Sequence, residues 1–123
     1  MSLEPINTQA VRIADKAMPD EGLIHVITGI FQGLSDETRV KILYALKKQE
    51  MCVRDLAILI GISESGISHQ LSHLKDLKLV KARRDGNAMY YSLSYAHLLG
   101  MLREAEEYAD YVKQNIPDHP YNS

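Results

Sequence analysis

MCVRDLAILIGISESGISHQLSHLKDLKLVKARRDGNAMYYS, from Met51 to Ser92, reads as two helices around a tight turn, followed by a hairpin. Ala57 stands four residues before Gly61, and glycine takes the left-handed conformation that ends a helix. Ile62 then reads as a core plug, and Ser63 as the N-cap of the second helix. In that helix Ile67, Leu71, Leu74 and Lys78 recur at helical spacing, and the first three form one apolar stripe. The opposite face carries Ser65, Ser68, His69 and Ser72, side chains that hydrogen-bond without bulk. A face built for surface ion pairs would carry Glu and Lys there; this one can approach base edges in a major groove.

Leu79 to Arg84 and Ala88 to Leu93 are β-prone runs joined by Asp85-Gly86-Asn87, which predicts a hairpin. A helix-turn-helix followed at once by a hairpin is a winged helix. Between His69 and Arg84 stand Lys75, Lys78, Lys81, Arg83 and Arg84 against Asp76 alone, so this region is locally basic. The candidate DNA-binding residues are therefore Ser63, Ser65, Ser68, His69, Gln70, Ser72, His73, Lys75, Lys81, Arg83, Arg84 and Asn87. Ser65, Ser68, His69 and Gln70 are expected to face bases. Lys75, Lys81, Arg83, Arg84 and Asn87 are expected along phosphates or the adjacent minor groove.

The run Cys52-Val53-Arg54-Asp55-Leu56-Ala57, with Ser68-His69-Gln70-Leu71 and Met89-Tyr90-Tyr91-Ser92-Leu93, resembles the ArsR/SmtB family of bacterial transcriptional repressors. So does Gly33-Leu34-Ser35-Asp36-Glu37-Thr38-Arg39 upstream. The similarity covers roughly residues 22 to 112. It implies a homodimeric winged-helix repressor that leaves its double-stranded operator when an inducer, often a metal ion, binds.

The rest of the chain fits one domain: an arm over residues 1–21, a winged-helix core over 22–93, a dimerisation helix over 94–115 and a tail over 116–123. The expected fold is mainly α with a small β-hairpin wing and helical dimerisation elements at both ends. Thr8 can cap a short first helix through Met18. After Pro19-Asp20-Glu21, the residues Leu23, Ile24, Ile27, Ile30, Phe31 and Leu34 form a wide apolar face, which predicts a helix buried on more than one side. His25 lies just off that stripe. Ser35 is expected to begin the next helix, with Val40, Ile42, Leu43, Ala45 and Leu46 towards the core. Arg39 reads either as a structural residue or as a phosphate contact. Glu50 to Val53 reads as a short extended link.

Beyond the wing, Ser94 is expected to cap a helix ending near Asn115, before Pro117. Leu98, Leu102, Ala105, Ala109 and Val112 recur in alternating steps of four and three, a seam for a partner helix. Pairing with the same helix of a second copy is the expectation, and folding back on its own domain is the alternative. Two such copies would present two recognition helices to a two-fold operator.

A net charge of −2 argues against indiscriminate nucleic-acid binding but not against a local basic surface. No apolar run approaches the roughly eighteen residues of a membrane span, so no membrane partner is expected. The polar N-terminus lacks a signal-peptide core, and the single cysteine fits a reducing cytoplasm. No nucleophile elbow, phosphate-binding glycine loop or paired catalytic carboxylates occur, so an enzyme is not expected. The rival to a DNA-binding regulator is a winged helix used as a protein-interaction module.

The sensor implied by the resemblance departs from its pattern. Members with a thiolate site near the first motif helix show Cys-x-Cys followed by Asp. Here Arg54 replaces the second thiol and would repel a divalent ion, leaving Cys52 as a small buried hydrophobe. Members with a site between terminal helices use positions that match Tyr95, His97, Tyr108 and Tyr111. A neutral phenol must lose a tightly held proton before it ligates zinc. A rearranged divalent site from His97, Glu104, Glu107, Asp110 and His119 is the candidate set. No cofactor is certain. The tyrosines with His97 could instead line a pocket for an organic inducer or pack as core.

Overall fold

The computed structural model describes residues 2–115. Its helices are α1 (Thr8–Ala17), α2 (Glu21–Gly33), α3 (Glu37–Ala45), α4 (Val53–Ile60), α5 (Glu64–Asp76) and α6 (Ala96–Asn115). Strands β1 (Met51–Cys52), β2 (Val80–Asp85) and β3 (Ala88–Leu93) form an antiparallel sheet in the order β1-β3-β2. The expected extended link is thus a short third strand, with Met51 opposite Tyr91 and Cys52 opposite Tyr90.

Local chemistry starts each helix. Asn7, not Thr8, caps α1, its side-chain oxygen accepting from Ala10 N at 3.0 Å. Asp20 caps α2 through Leu23 N at 2.9 Å. Asp36, not Ser35, caps α3 through Arg39 N at 3.0 Å, while the Ser35 hydroxyl donates to Gln32 O. A carboxylate is the stronger of these two adjacent caps, because it adds charge at the positive end of the helix dipole. Nor does the last helix begin directly after Ser94. It starts at Ala96, and Ser94 N donates to Leu79 O at 3.0 Å, closing the end of the hairpin.

Ile42, Leu43, Leu56, Ile67, Leu71 and Leu74 lie at the centre of the core, where α3, α4 and α5 meet. Leu79 and Val80 seal it from the wing. Leu98 and Leu102 seal it from α6, so the first two members of the expected seam belong to the chain's own core. Truncating one central leucine to alanine costs about 2–5 kcal/mol in such a site. Ile62 does not plug this core. It is 37% exposed and lies over Gly66, on the outer side of the turn.

Helix α2 is also not buried on several sides within the chain. Leu23, Ile24, Val26 and Phe31 are exposed, Phe31 to 62%, and Gly33 is the one buried residue of the helix. A Cβ on Gly33 would stand 2.0 Å from Leu77 Cδ1, so the absence of a side chain lets the end of α2 pass the end of α5. Helix α1 buries no residue. Phe31, Leu34, Val40, Tyr44, Met101 and Ala105 line an open apolar groove of about 540 Å³ between α2, α3 and α6.

Candidate nucleic-acid interface

The turn between α4 and α5 sets the aim of the second helix. Gly61 has φ +83° and its N–H bonds Ala57 O at 2.8 Å, stopping α4 as the spacing predicts. Two residues later the Ser63 hydroxyl accepts from Gly66 N at 3.0 Å and lies 3.2 Å from the Ser65 hydroxyl. Ser63 is therefore held as a cap. With Ile67, Leu71 and Leu74 buried, α5 turns Ser65, Ser68, His69, Ser72, His73 and Lys75 to solvent.

Gln70 departs from the expected base-facing set. It is half-buried, and Arg39 Nη1 donates to its Oε1 at 3.4 Å. The same guanidinium donates through Nε to Gly33 O at 2.8 Å and through Nη2 to Gln32 O at 3.5 Å. Arg39 thus has a structural role, joining the end of α2 to α5.

In the wing, Val80, Ala82 and Arg84 share one face of β2, while Lys81, Arg83 and Asp85 share the other. Lys81, Arg84 and Asn87 are exposed. Arg83 is exposed as well, but its guanidinium is engaged by neighbours in its own chain. Its Nε lies 2.9 and 3.0 Å from the two Glu50 carboxylate oxygens, its guanidinium stacks 5.0 Å from the Tyr90 ring centre, and Asp85 lies 3.7 Å away. The hydrogen bond from Arg83 holds the Glu50 carboxyl below its usual range, partial desolvation opposing it. The same pairing raises Arg83.

Between wing and recognition helix runs a cleft of about 530 Å³, lined by Cys52, Arg54, Ser65, Ser68, Asn87 and Met89 among others. It brings together the serine face, the wing tip and the exposed Arg54 from the first turn of α4. Arg54 was legible only as a cation unsuited to a thiolate site. The available signal was its place in the first turn of the first helix of the motif, at the end beside the wing. Cys52, half-buried, is among the residues lining this cleft.

The residues expected to hold a metal do not converge within one chain. His97, Glu104, Glu107 and Asp110 are spread along the exposed side of α6, and His119 lies outside the described residues. Among the described residues no three His, Cys, Asp or Glu side chains are grouped closely enough for an ion. Tyr95 and His97 flank a small apolar hollow of about 140 Å³ with Ile30, Lys78, Leu79 and Leu98. Tyr108 and Tyr111 stand elsewhere and are exposed, their ring centres 6.3 Å apart, so the tyrosines form neither core nor one pocket in the single chain. The buried-edge tyrosine is Tyr44, whose hydroxyl donates to Leu102 O at 2.7 Å; burial, with Glu106 second, raises its pKa.

A helix-turn-helix with a three-stranded wing, an exposed serine–histidine face and a basic rim defines a winged-helix DNA-binding regulator. Residues 36–82 match the model of the bacterial regulatory protein arsR family. The transcriptional repressor SmtB homolog of Synechocystis is 44% identical over 85 residues, 69% of this chain and 62% of that protein, under two thirds of its length. The HTH-type transcriptional regulator KmtR of Mycobacterium tuberculosis is 33% identical over 102 residues, 83% of this chain and 78% of that one. Among solved structures, the homodimeric winged helix-turn-helix DNA-binding domain Mb0332 of Mycobacterium bovis, a possible ArsR-family regulator, matches with TM-score 0.73 and 25% identity. That match covers 83% of this chain and 97% of that domain. The chain belongs to the arsR family of bacterial regulatory proteins, a family of transcriptional regulators and not of enzymes.

Proposed function

We propose that this protein is a homodimeric transcriptional repressor that reads a two-fold operator with α5 and steadies itself on phosphates with the wing. The observation that carries this reading is the cleft between α5 and the hairpin. There Ser65 and Ser68 face Asn87 across an opening rimmed by Arg54, with Lys81 and Arg84 exposed on the hairpin alongside. Ser65, Ser68, His69 and Ser72 have the size and hydrogen-bonding capacity for base edges. Lys75, Lys81, Arg84, Asn87 and Arg54 supply the contacts that position the protein on the duplex. Arg83 braces the wing through Glu50.

The second copy is supported by what the single chain leaves uncovered: Leu23, Val26 and Phe31 on α2, Met101 on α6, and the groove between them. Ala105, Ala109 and half-buried Val112 continue that surface along α6. Residues 94–115 would then act as the dimerisation helix, with α1 as a further contact at the other end. Among the described residues no helix is long and apolar enough to cross a membrane. A regulator acting on operator DNA would work in the cytoplasm. An inducer, a metal ion or small effector, would act at the surface between copies, where His97 and the carboxylates of α6 from two chains could meet.

The test is duplex binding at several salt concentrations. A repressor loses affinity steeply as salt rises, because its phosphate contacts release counterions. Replacing Ser68 and His69 together by alanine should weaken operator binding far more than binding to random duplex. An equal loss on both would remove those side chains from base reading. Binding that ignores salt would favour a protein-interaction module.

A further inference from the structure

Glu64 opens α5 directly after the Ser63 cap and is exposed. It lines the cleft between α5 and the hairpin with Arg54, Ser65, Ser68 and Asn87, and is the one carboxylate among the residues around that opening. Among the described residues it has no ion-pair or side-chain hydrogen-bond partner. We infer that Glu64 is a specificity-determining residue, whose carboxylate accepts from the exocyclic amino group of a cytosine in the major groove and excludes the other three bases from that position. The inference rests on the proposed reading of a duplex by α5.

The first turn of α5 leaves this side chain unengaged. The Ser63 hydroxyl accepts from Gly66 N at 3.0 Å, and the Ser65 hydroxyl lies 3.2 Å from that of Ser63. Gly66 has no side chain to offer, and Ile67 is buried in the core. Glu64 therefore carries the acceptors of that turn that nothing in the chain occupies. The N-terminal residues of a recognition helix are the ones that contact base edges.

Charge decides what a carboxylate does in such a place. On a duplex it meets the field of the phosphates, and that repulsion is offset only where it finds a donor. Ionised, it accepts hydrogen bonds and donates none. Guanine shows the major groove two acceptors, and thymine an acceptor and a methyl group. Adenine sets the N7 acceptor beside its amino group, so a second carboxylate oxygen is repelled there. Cytosine alone shows a donor with no acceptor on the same base edge. The carboxylate thus matches one base and penalises three. Lys81 and Arg84 on the hairpin attract any duplex, and Glu64 opposes that attraction wherever the sequence is wrong.

A purely local role would look different. A negative charge in the first turn favours the helix dipole, and a glutamate serving that end alone would leave base choice untouched.

The test selects duplexes from a randomised pool with the full chain, then measures affinities by fluorescence anisotropy. The wild type should select a two-fold site with a C·G pair at matching positions of both half-sites, and changing that pair should weaken binding at least about fivefold. Glu64→Gln should select A·T there, because an amide pairs with adenine N6 and N7 together. Glu64→Ala should accept any pair at that position, while the other positions keep their preferences. Affinity of Glu64→Gln for random duplex should rise about two- to fivefold, through loss of a charge that repels phosphate. Identical base preferences in all three proteins overturn the assignment and leave the repressor reading standing. Variants weakened equally on selected and random duplex, with no change in preference, make Glu64 a helix-start residue alone and overturn it too. A wild type that binds no duplex at any salt refutes the repressor reading, and the assignment falls with it.

Discussion

Arg83 gives its guanidinium to Glu50 and its flat face to Tyr90, whereas Arg84, the next residue, is exposed and unpaired among the described residues. The two should behave differently on DNA. Arg84→Ala should weaken operator and random duplex alike and make the salt slope shallower by about one, as expected for one lost phosphate contact. Arg54→Ala should do the same, while Arg83→Ala should leave the slope in place and loosen the wing. Glu50 adds a pH test. Its carboxyl is held below the usual range in the folded protein, so its pairing contributes stability above that range and loses it as pH falls through the lowered value. Melting temperatures of wild type and Glu50→Gln should therefore differ at neutral pH and converge in acid; a constant difference would remove the ion pair as the cause. The sequence made Arg83 and Arg84 look equivalent because both are basic residues in one strand. Glu50 stands 33 residues away, and the Arg39–Gln70 contact spans 31. Nothing local announces either pairing, so the sequence reads Gln70 and Arg83 without these partners.

Elements were the most legible scale, since caps, glycine stops and apolar periodicity act over a few residues. Gly61 and Ser63 bound the turn as their side-chain chemistry requires, and the hairpin pairs Val80 with Leu93 through Asp85 with Ala88. The end of α5 shows a further device. Lys78 adopts φ +64°, its N–H bonding Lys75 O, while Leu79 N bonds Leu74 O, so two orphan carbonyls are satisfied in a Schellman closure. A lysine there carries a left-handed penalty that glycine lacks. Lys78→Gly should stabilise the protein by about 0.5–1 kcal/mol, read as a rise in melting temperature. The periodic pattern had placed Lys78 inside the helix, since spacing records a row of residues and not where the backbone leaves it. Gly33 is the opposite case. Its alanine variant must push Leu77 aside and should cost about 1–3 kcal/mol, relieved in part by Leu77→Ala. No change in either denaturation midpoint would mean that α2 can simply shift.

At the scale of the whole molecule, the chain reads as half of an assembly. Periodicity showed that α2 and α6 have apolar faces, and it could not show what covers them. The core of this chain takes Leu98 and Leu102, and leaves Phe31, Met101 and the groove beside them open. Phe31→Glu should leave the fold intact, because the side chain is largely exposed here. The variant should shift the protein to monomer in sedimentation experiments and reduce operator affinity by more than tenfold, since one half-site cannot hold the duplex as two do. A dimeric Phe31→Glu protein would move the interface elsewhere.

Arg39 grips the last carbonyls of α2 with one edge of its guanidinium and reaches Gln70 on α5 with the other. The helix a second subunit would lean on and the helix that would enter the groove thus hang from one planar, always-charged hinge pin. A tilt of the first would bear on the second through this one side chain, without passing through the core.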